Sequence, residues 1–471
     1  MVVGIPDLFK GTFPQFVAAI SGTLFAISDG MTYAWTAPYV PYLMSDESHV
    51  KTSKTQGEWL ETTLLIGSFS GIPVTIYLVH FIGRKKALLT ASFVVLLSWI
   101  TMALGNRIEY IFAARFSLGV CCNMAIVAAP MYTAEIAEQK IRGLLSGIIY
   151  INMHIGVLAV YCVGPYLPFY SASIVGAVVV TLELIIFSTV PESPHFLLYK
   201  DKVDEARIAL QYLRPNGDVD KELKEICDYI ERQKTDKGRI QDLFLIKSCR
   251  KATFILAVLN VGQHMCAYTV MLMNLHLILE AAGTIYMDSA VAAIIFAAIM
   301  LLATIFGSFQ SDLFGRRILL IFSSSFTCLC LLALAIYFHL KYLGYDVLPV
   351  SWIPIVSCMI YAGVFKSGMG IVPIMITGEM FPVKLKSIGV TVADMMYVIG
   401  GIVGLQVYQH LSNRYGLHVP FYVFAAWAFS VLIFTVFYIP ETKGKSLDEI
   451  QKILGGDEKH QEEHSHCDTK L

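Results

Sequence analysis

The chain has 471 residues, 56% of them hydrophobic and only 15% charged, with a formal net charge of −1. A soluble domain is usually near a quarter charged, so this composition excludes a soluble protein, and the near-neutral balance gives no reason to expect nucleic acid. Most of the ten cysteines fall in apolar runs, where they read as small packing residues, and no disulfide framework is implied.

About 20 apolar residues cross a bilayer as a helix, and roughly twelve such runs follow one another. They lie near 15–43, 59–81, 86–104, 109–131, 143–164, 171–190, 253–281, 288–311, 318–340, 350–378, 387–411 and 419–439. The first is too long for a cleavable signal, and no small-residue cleavage site precedes the next span. Between the sixth and seventh runs lies a polar stretch, 192–250. Its "DKVDEARIALQYLR" and "DKELKEICDYIERQKTDK" space apolar residues as helices do, predicting a small helical bundle. The tail holds His460, His464, His466 and Cys467, a composition that reads as solvated chain rather than a metal site. The expected domains are 1–191, a first six-helix bundle; 192–250, a helical linker; 251–440, a second six-helix bundle; and 441–471, a tail.

Lysine and arginine set the orientation. One side receives Arg84, Lys85, Lys86, Lys140, Arg142, Arg316, Arg317, Lys384, Lys386, Lys443, Lys445 and the polar stretch. The other receives only Lys51, Lys54, Arg107, Lys341 and Arg414 in its short loops. The termini and the linker are therefore expected in the cytoplasm.

Three motifs occur twice in the same order. "GRKKALL" at Gly83 pairs with "GRRILL" at Gly315, "AEIAEQKIR" with "GEMFPVKLK", and "PESPHFLL" with "PETKGKSL". Two six-span halves related by an axis along the membrane normal account for this, a design that places solute near the midplane. Glu135 stands seven residues before Arg142, and Glu379 seven before Lys386. With Arg84, Lys85, Arg316 and Arg317 they are expected to form charged latches, one per half, dry when a gate is shut and wet when it opens. Positive-inside topology accounts for the basic residues but not for the repeated carboxylates.

These motifs, with "ARFSLGV", "DLFGRR" and the closing "SLDEI", together resemble the sugar porter family of the major facilitator superfamily, and within it the insect trehalose and hexose facilitators. The resemblance spans roughly residues 15–452. It implies an all-α membrane protein of twelve transmembrane helices in two pseudo-symmetric bundles with a small cytoplasmic helical loop domain. It implies a sugar as small-molecule partner beside the lipid bilayer, alternating access, residence in the plasma membrane, and neither catalytic step nor cofactor. It puts Arg115, Glu135, Arg142, Glu192, Asp312, Arg316, Arg317, Glu379 and Glu441 in a cytoplasmic charged network. One acid of the family's first-half motif is missing, since His80 and Phe81 stand there, so the latch is expected to lean on the second half, where Asp312 is kept.

The sugar site departs further from the family pattern. Sugar hydroxyls donate and accept at once, which an amide side chain can answer. Where the seventh helix usually carries two glutamines and an asparagine, this chain has Gly262, Gln263 and Tyr268. Tyr150, Met300, Ile374, Tyr397 and Val398 replace further amides and two tryptophans, while His154, Asp394, Asp29, Tyr33 and Trp35 are polar or aromatic additions. Gln263, Tyr268, Tyr150, His154, Tyr397 and Tyr33 are the expected solute contacts, and Asp394 and Asp29 the candidate proton sites. Three accounts stay open: a facilitator with a tyrosine-rich pocket, a carrier of another solute with or without protons, and a sensor that has lost transport. A Gly-rich phosphate loop and an ATPase domain are both missing from the sequence, which argues against an enzyme.

Overall fold

The computed structural model describes residues 11–215, 217–235, 239–445 and 447–455, and no strand occurs among them. Among these residues, eleven helices are long and apolar enough to cross a membrane. The first predicted run is the one outside that set. It folds as three short consecutive helices, α1 (Phe13–Thr23), α2 (Phe25–Ala34) and α3 (Thr36–Met44). The joints at Leu24 and Trp35 keep helical dihedrals, so the chain continues through them. Pro41 lies inside α3 and removes an amide that the helix would use.

The chain divides into two compact units. The first continues with α4 (Lys54–Phe81), α5 (Arg84–Leu104), α6 (Ile108–Asn123), a π turn over Met124–Ala128, α7 (Ala129–Ile136), α8 (Arg142–Val163) and α9 (Tyr170–Ser188). Ser53 and Gln56 cap each other's backbone at the start of α4. Pro130 has no amide to donate back along α7, and the chain widens into the π turn just before it. Helices α2 and α8 touch backbone to backbone: a Cβ on Gly156 would lie 1.9 Å from the Ile27 carbonyl oxygen.

The linker folds as α10 (Pro194–Tyr199), α11 (Val203–Leu213) and α12 (Val219–Thr235). Leu197, Leu198, Ala206, Ala209, Leu210, Ile226 and Ile230 form its own small core. Arg214 fastens that core to the chain just after α7. Its guanidinium donates to the Ile136 carbonyl at 2.9 Å and to Glu222 at 3.0 Å, and lies 3.5 Å from Glu138. Gln15 in turn donates to Glu138 at 2.9 Å and to the Leu213 carbonyl at 3.2 Å. Through Thr235 the linker therefore belongs to the first unit rather than standing apart.

The second unit comprises α13 (Asp242–Leu245), α14 (Lys247–Met265), α15 (Tyr268–Ala282), α16 (Ser289–Phe314), α17 (Arg316–Tyr342), α18 (Trp352–Ser367), α19 (Val372–Met380), α20 (Lys386–Tyr415), α21 (His418–Tyr438) and α22 (Leu447–Gly455). Two predicted spans are broken here. The run 253–281 is interrupted at Cys266 and Ala267, where Ala267 adopts the left-handed region at φ 71°. The run 350–378 is interrupted at Gly368. One piece of α15, Leu272–Leu277, groups with the first unit. There Tyr161 donates to the Leu272 carbonyl at 2.7 Å, Thr36 to the Met273 carbonyl at 3.3 Å, and Asn274 to Glu61 at 3.1 Å.

Candidate gating clusters and solute site

The turn from α4 into α5 passes through Gly83 at φ 103°, a region that only glycine occupies readily. The bare amides opening α5 then meet Glu192, which accepts from Lys85 N at 2.9 Å and Lys86 N at 3.4 Å. A Cβ on Gly83 would lie 2.4 Å from the Glu192 carboxylate. The glycine thus serves the turn and makes room for the cap. Arg84 reaches to Glu135, with its Nη2 at 2.7 Å and its Nε at 3.1 Å from one carboxylate oxygen. Ser193 donates to the other oxygen.

The second unit repeats this arrangement. Gly315 has φ 90°, and Glu441 accepts from Arg316 N at 2.9 Å and Arg317 N at 3.0 Å. Arg316 pairs with Glu379 at 3.1 Å, and Thr442 donates to Glu379 at 2.7 Å. Burial alone would raise the Glu441 pKa, but the amides of Lys443, Arg316, Arg317 and Thr442 outweigh it and hold the carboxyl below the usual glutamate range.

Several expectations change. Glu135 and Glu379 pair with Arg84 and Arg316, not with the basic residues seven positions on. Arg142 is exposed and donates to the Ala137 carbonyl, and Lys386 is exposed. The reason is local: α7 ends at Ile136 and α8 begins at Arg142, so a turn separates what the spacing put on one face. Lys85 and Arg317 anchor helix ends instead, through the Ser188 and Val436 carbonyls. Arg115 leaves the charged network altogether. It lies in α6, twenty positions before Glu135 in a helical run, roughly 30 Å away at 1.5 Å per residue. It is fully buried, donates to the Thr32 carbonyl at 2.6 Å and the Leu60 carbonyl at 3.3 Å, and stacks over Trp35. The Arg84–Glu135 pair is 2.7 Å long and the Arg316–Glu379 pair 3.1 Å, while the expected lean on the second half turns on Asp312. The Asp312 side chain and the histidine-rich tail lie outside the described residues. Ser193 and Thr442 were missed, although both repeats print a hydroxyl residue directly after the capping glutamate.

The solute candidates fall into two groups, one in each unit. In the second, Gln263 is 2% exposed and its Nε2 has no hydrogen-bond partner among the described residues. Next to it His264 bonds Thr269 at 2.5 Å, and its ring meets Tyr397 edge-on at 4.2 Å and lies 6.0 Å from Tyr268. Tyr268 stacks on Phe365 at 5.3 Å. Its hydroxyl accepts from Lys366 at 3.3 Å, a buried lysine that sequence reading passed over although it stands alone in the run 350–378. The structure therefore brings Tyr268 and Tyr397 together around His264, and Gln263 is the residue before it in α14. Asp394, on the same helix as Tyr397, is half-buried, while Met300 is buried and Ile374 exposed.

In the first unit, His154 is buried and donates through Nδ1 to the Tyr150 carbonyl at 2.8 Å, and Tyr150 is half-buried on the same helix, α8. Tyr33 and Asp29 are buried on α2, where the Cys122 thiol donates to Asp29 Oδ1. Asp29 thus faces α6. Its Oδ2 has no hydrogen-bond partner among the described residues.

Comparison with known proteins fits this arrangement. Solved structures of the E. coli xylose transporter XylE share the fold. A partially occluded inward-open form superposes with a TM-score of 0.77 at 19% identity, covering 92% of this chain and 99% of that one. An auto-inhibited POT family peptide transporter superposes at 0.61 and 11% identity, over 93% of this chain and 99% of that one. Among curated relatives, a facilitated trehalose transporter of Bombyx mori is 27% identical over 443 residues, covering 93% of this chain and 86% of the relative. A homologue of facilitated trehalose transporter Tret1-2 from Drosophila sechellia is 28% identical over 454 residues, covering 94% and 92%. The family model for sugar (and other) transporters matches residues 15–454. With multiple apolar spans, a duplicated Gly-Arg and glutamate arrangement and a match along nearly its whole length, this chain belongs to the sugar (and other) transporter family.

Proposed function

We propose that this multi-pass membrane protein moves a sugar, trehalose or a hexose, down its gradient by alternating access, in the plasma membrane with both termini cytoplasmic. The observation that carries the reading is Gln263. A buried amide nitrogen left without a partner is costly unless a ligand satisfies it, and the next residue in the chain, His264, meets Tyr268 and Tyr397, whose polar tips and ring faces suit a polyhydroxylated solute. The relatives' trehalose transport supports the substrate class. The two ion pairs, Arg84 with Glu135 and Arg316 with Glu379, serve as the gate in this reading.

The test is uptake of labelled trehalose and glucose into liposomes holding the full chain, beside Gln263→Ala. Saturable uptake is expected, with the variant weakened by roughly tenfold, the size of one or two lost hydrogen bonds to a buried group. Absence of uptake from folded, membrane-inserted protein sinks the proposal and favours a sensor. Accumulation of solute above equilibrium under a pH gradient would instead indicate proton coupling, with Asp29 the first candidate for its unsatisfied Oδ2.

A further inference from the structure

Lys366 is a cation in the wrong place for a purely neutral solute. It sits near the end of α18, inside a span, and is only 5% exposed. Its Nζ donates to the Tyr268 hydroxyl at 3.3 Å and lies 4.7 Å from the centre of that ring. The ion pairs formed by described residues do not include it: Glu379 belongs to Arg316 and Glu441 caps α17. An ammonium inside a membrane span is costly without an anion, and a phenol face replaces only part of the missing charge. Gln263 adds a second buried donor without a partner. Both unmet groups are donors. A neutral hydroxyl accepts but brings a donor of its own that needs a partner, whereas a carboxylate offers acceptors only.

From this we infer that the Tyr268 neighbourhood takes a monoanionic solute, a sugar acid whose carboxylate lies against Lys366 while its hydroxyls meet Gln263 and the tyrosines. A single cation fits one negative charge and leaves a phosphate dianion half-compensated. The inference rests on the sugar-transport reading and narrows its substrate class.

The experiment uses the full chain in liposomes with labelled D-glucuronate, D-gluconate, D-glucose and trehalose, in wild type, Lys366→Met and Lys366→Arg. Saturable glucuronate or gluconate uptake is expected. K366M should raise its KM roughly tenfold or more, as loss of a charge-assisted contact does, and K366R should hold it close to wild type. In parallel, glucuronate should raise the unfolding temperature of the wild-type protein and glucose should raise it less, a reading that stands if K366M fails to reach the membrane. Uptake of glucose or trehalose with no uptake of, or competition by, either acid overturns the inference and leaves sugar transport standing. No uptake of any of the four overturns both. Acid uptake that K366M leaves unchanged overturns the assignment to Lys366.

Discussion

Glu441 does its work through backbone amides rather than a charged side chain, and that gives it a pH signature. Its folded pKa is held below the unfolded value, so its contribution to stability is fully present above the ordinary glutamate pKa of about 4.3 and is lost as pH falls through the depressed value. Glu441→Gln should therefore be less stable than wild type by about 1 kcal/mol at neutral pH, with the two converging in acid. Thermal unfolding of detergent-solubilised protein across that range measures it, and parallel curves at every pH would refute the capping role. The sequence announced the charged residues but mispaired them. A seven-residue spacing places side chains on one face only while a single helix continues, and Glu135 and Arg142 straddle a turn. Tyr268, Tyr397 and Gln263 were legible only through the resemblance, because spacing alone does not bring α14, α15 and α20 together. Lys366 was legible as a lone charge in an apolar run and was overlooked.

Apolar runs locate helices well but do not reveal where they break. The first span, the seventh and the tenth read as unbroken stretches, yet they fold with joints at Leu24 and Trp35, at Ala267 and at Gly368. Hydrophobicity does not report a left-handed alanine; beside it the Tyr361 hydroxyl donates to the Cys266 carbonyl at 2.8 Å. The linker shows the opposite case, since its amphipathic spacing predicted helices and α10 to α12 formed around their own core. What spacing left unseen is its attachment. Arg214→Ala removes the donor to Ile136 and Glu222 and should loosen α10 to α12 by on the order of 2 kcal/mol, the worth of one buried charged hydrogen bond. Faster amide exchange confined to residues 194–235, with the spans unchanged, is the expected result; uniform exchange across the chain would contradict it.

At the level of the whole chain, the duplicated motifs are the most readable feature, because each stands where a turn must be made, a helix start capped and an arginine placed. In the proposed cycle the two ion pairs hold one gate shut. Glu379→Gln weakens the half-exposed member of the set, by about 1 kcal/mol, or roughly fivefold in an opening equilibrium. Cys249 lies buried near the start of α14 and reports it, with the other cysteines replaced. Faster maleimide labelling of Cys249 in the variant is expected, and unchanged labelling would remove Glu379 from the gate.

The glycine and carboxylate at each repeated turn also have a genetic consequence. Any side chain at Gly83 displaces Glu192, and loss of Glu192 leaves the opening amides of α5 uncovered; the same holds for Gly315 and Glu441 with α17. Once the glycine has changed, losing its glutamate costs little more, but the reverse does not hold, because the positive φ still demands glycine. The four positions therefore behave as two one-way epistatic pairs, far apart in the chain, in which drift at the glycine releases selection on the glutamate.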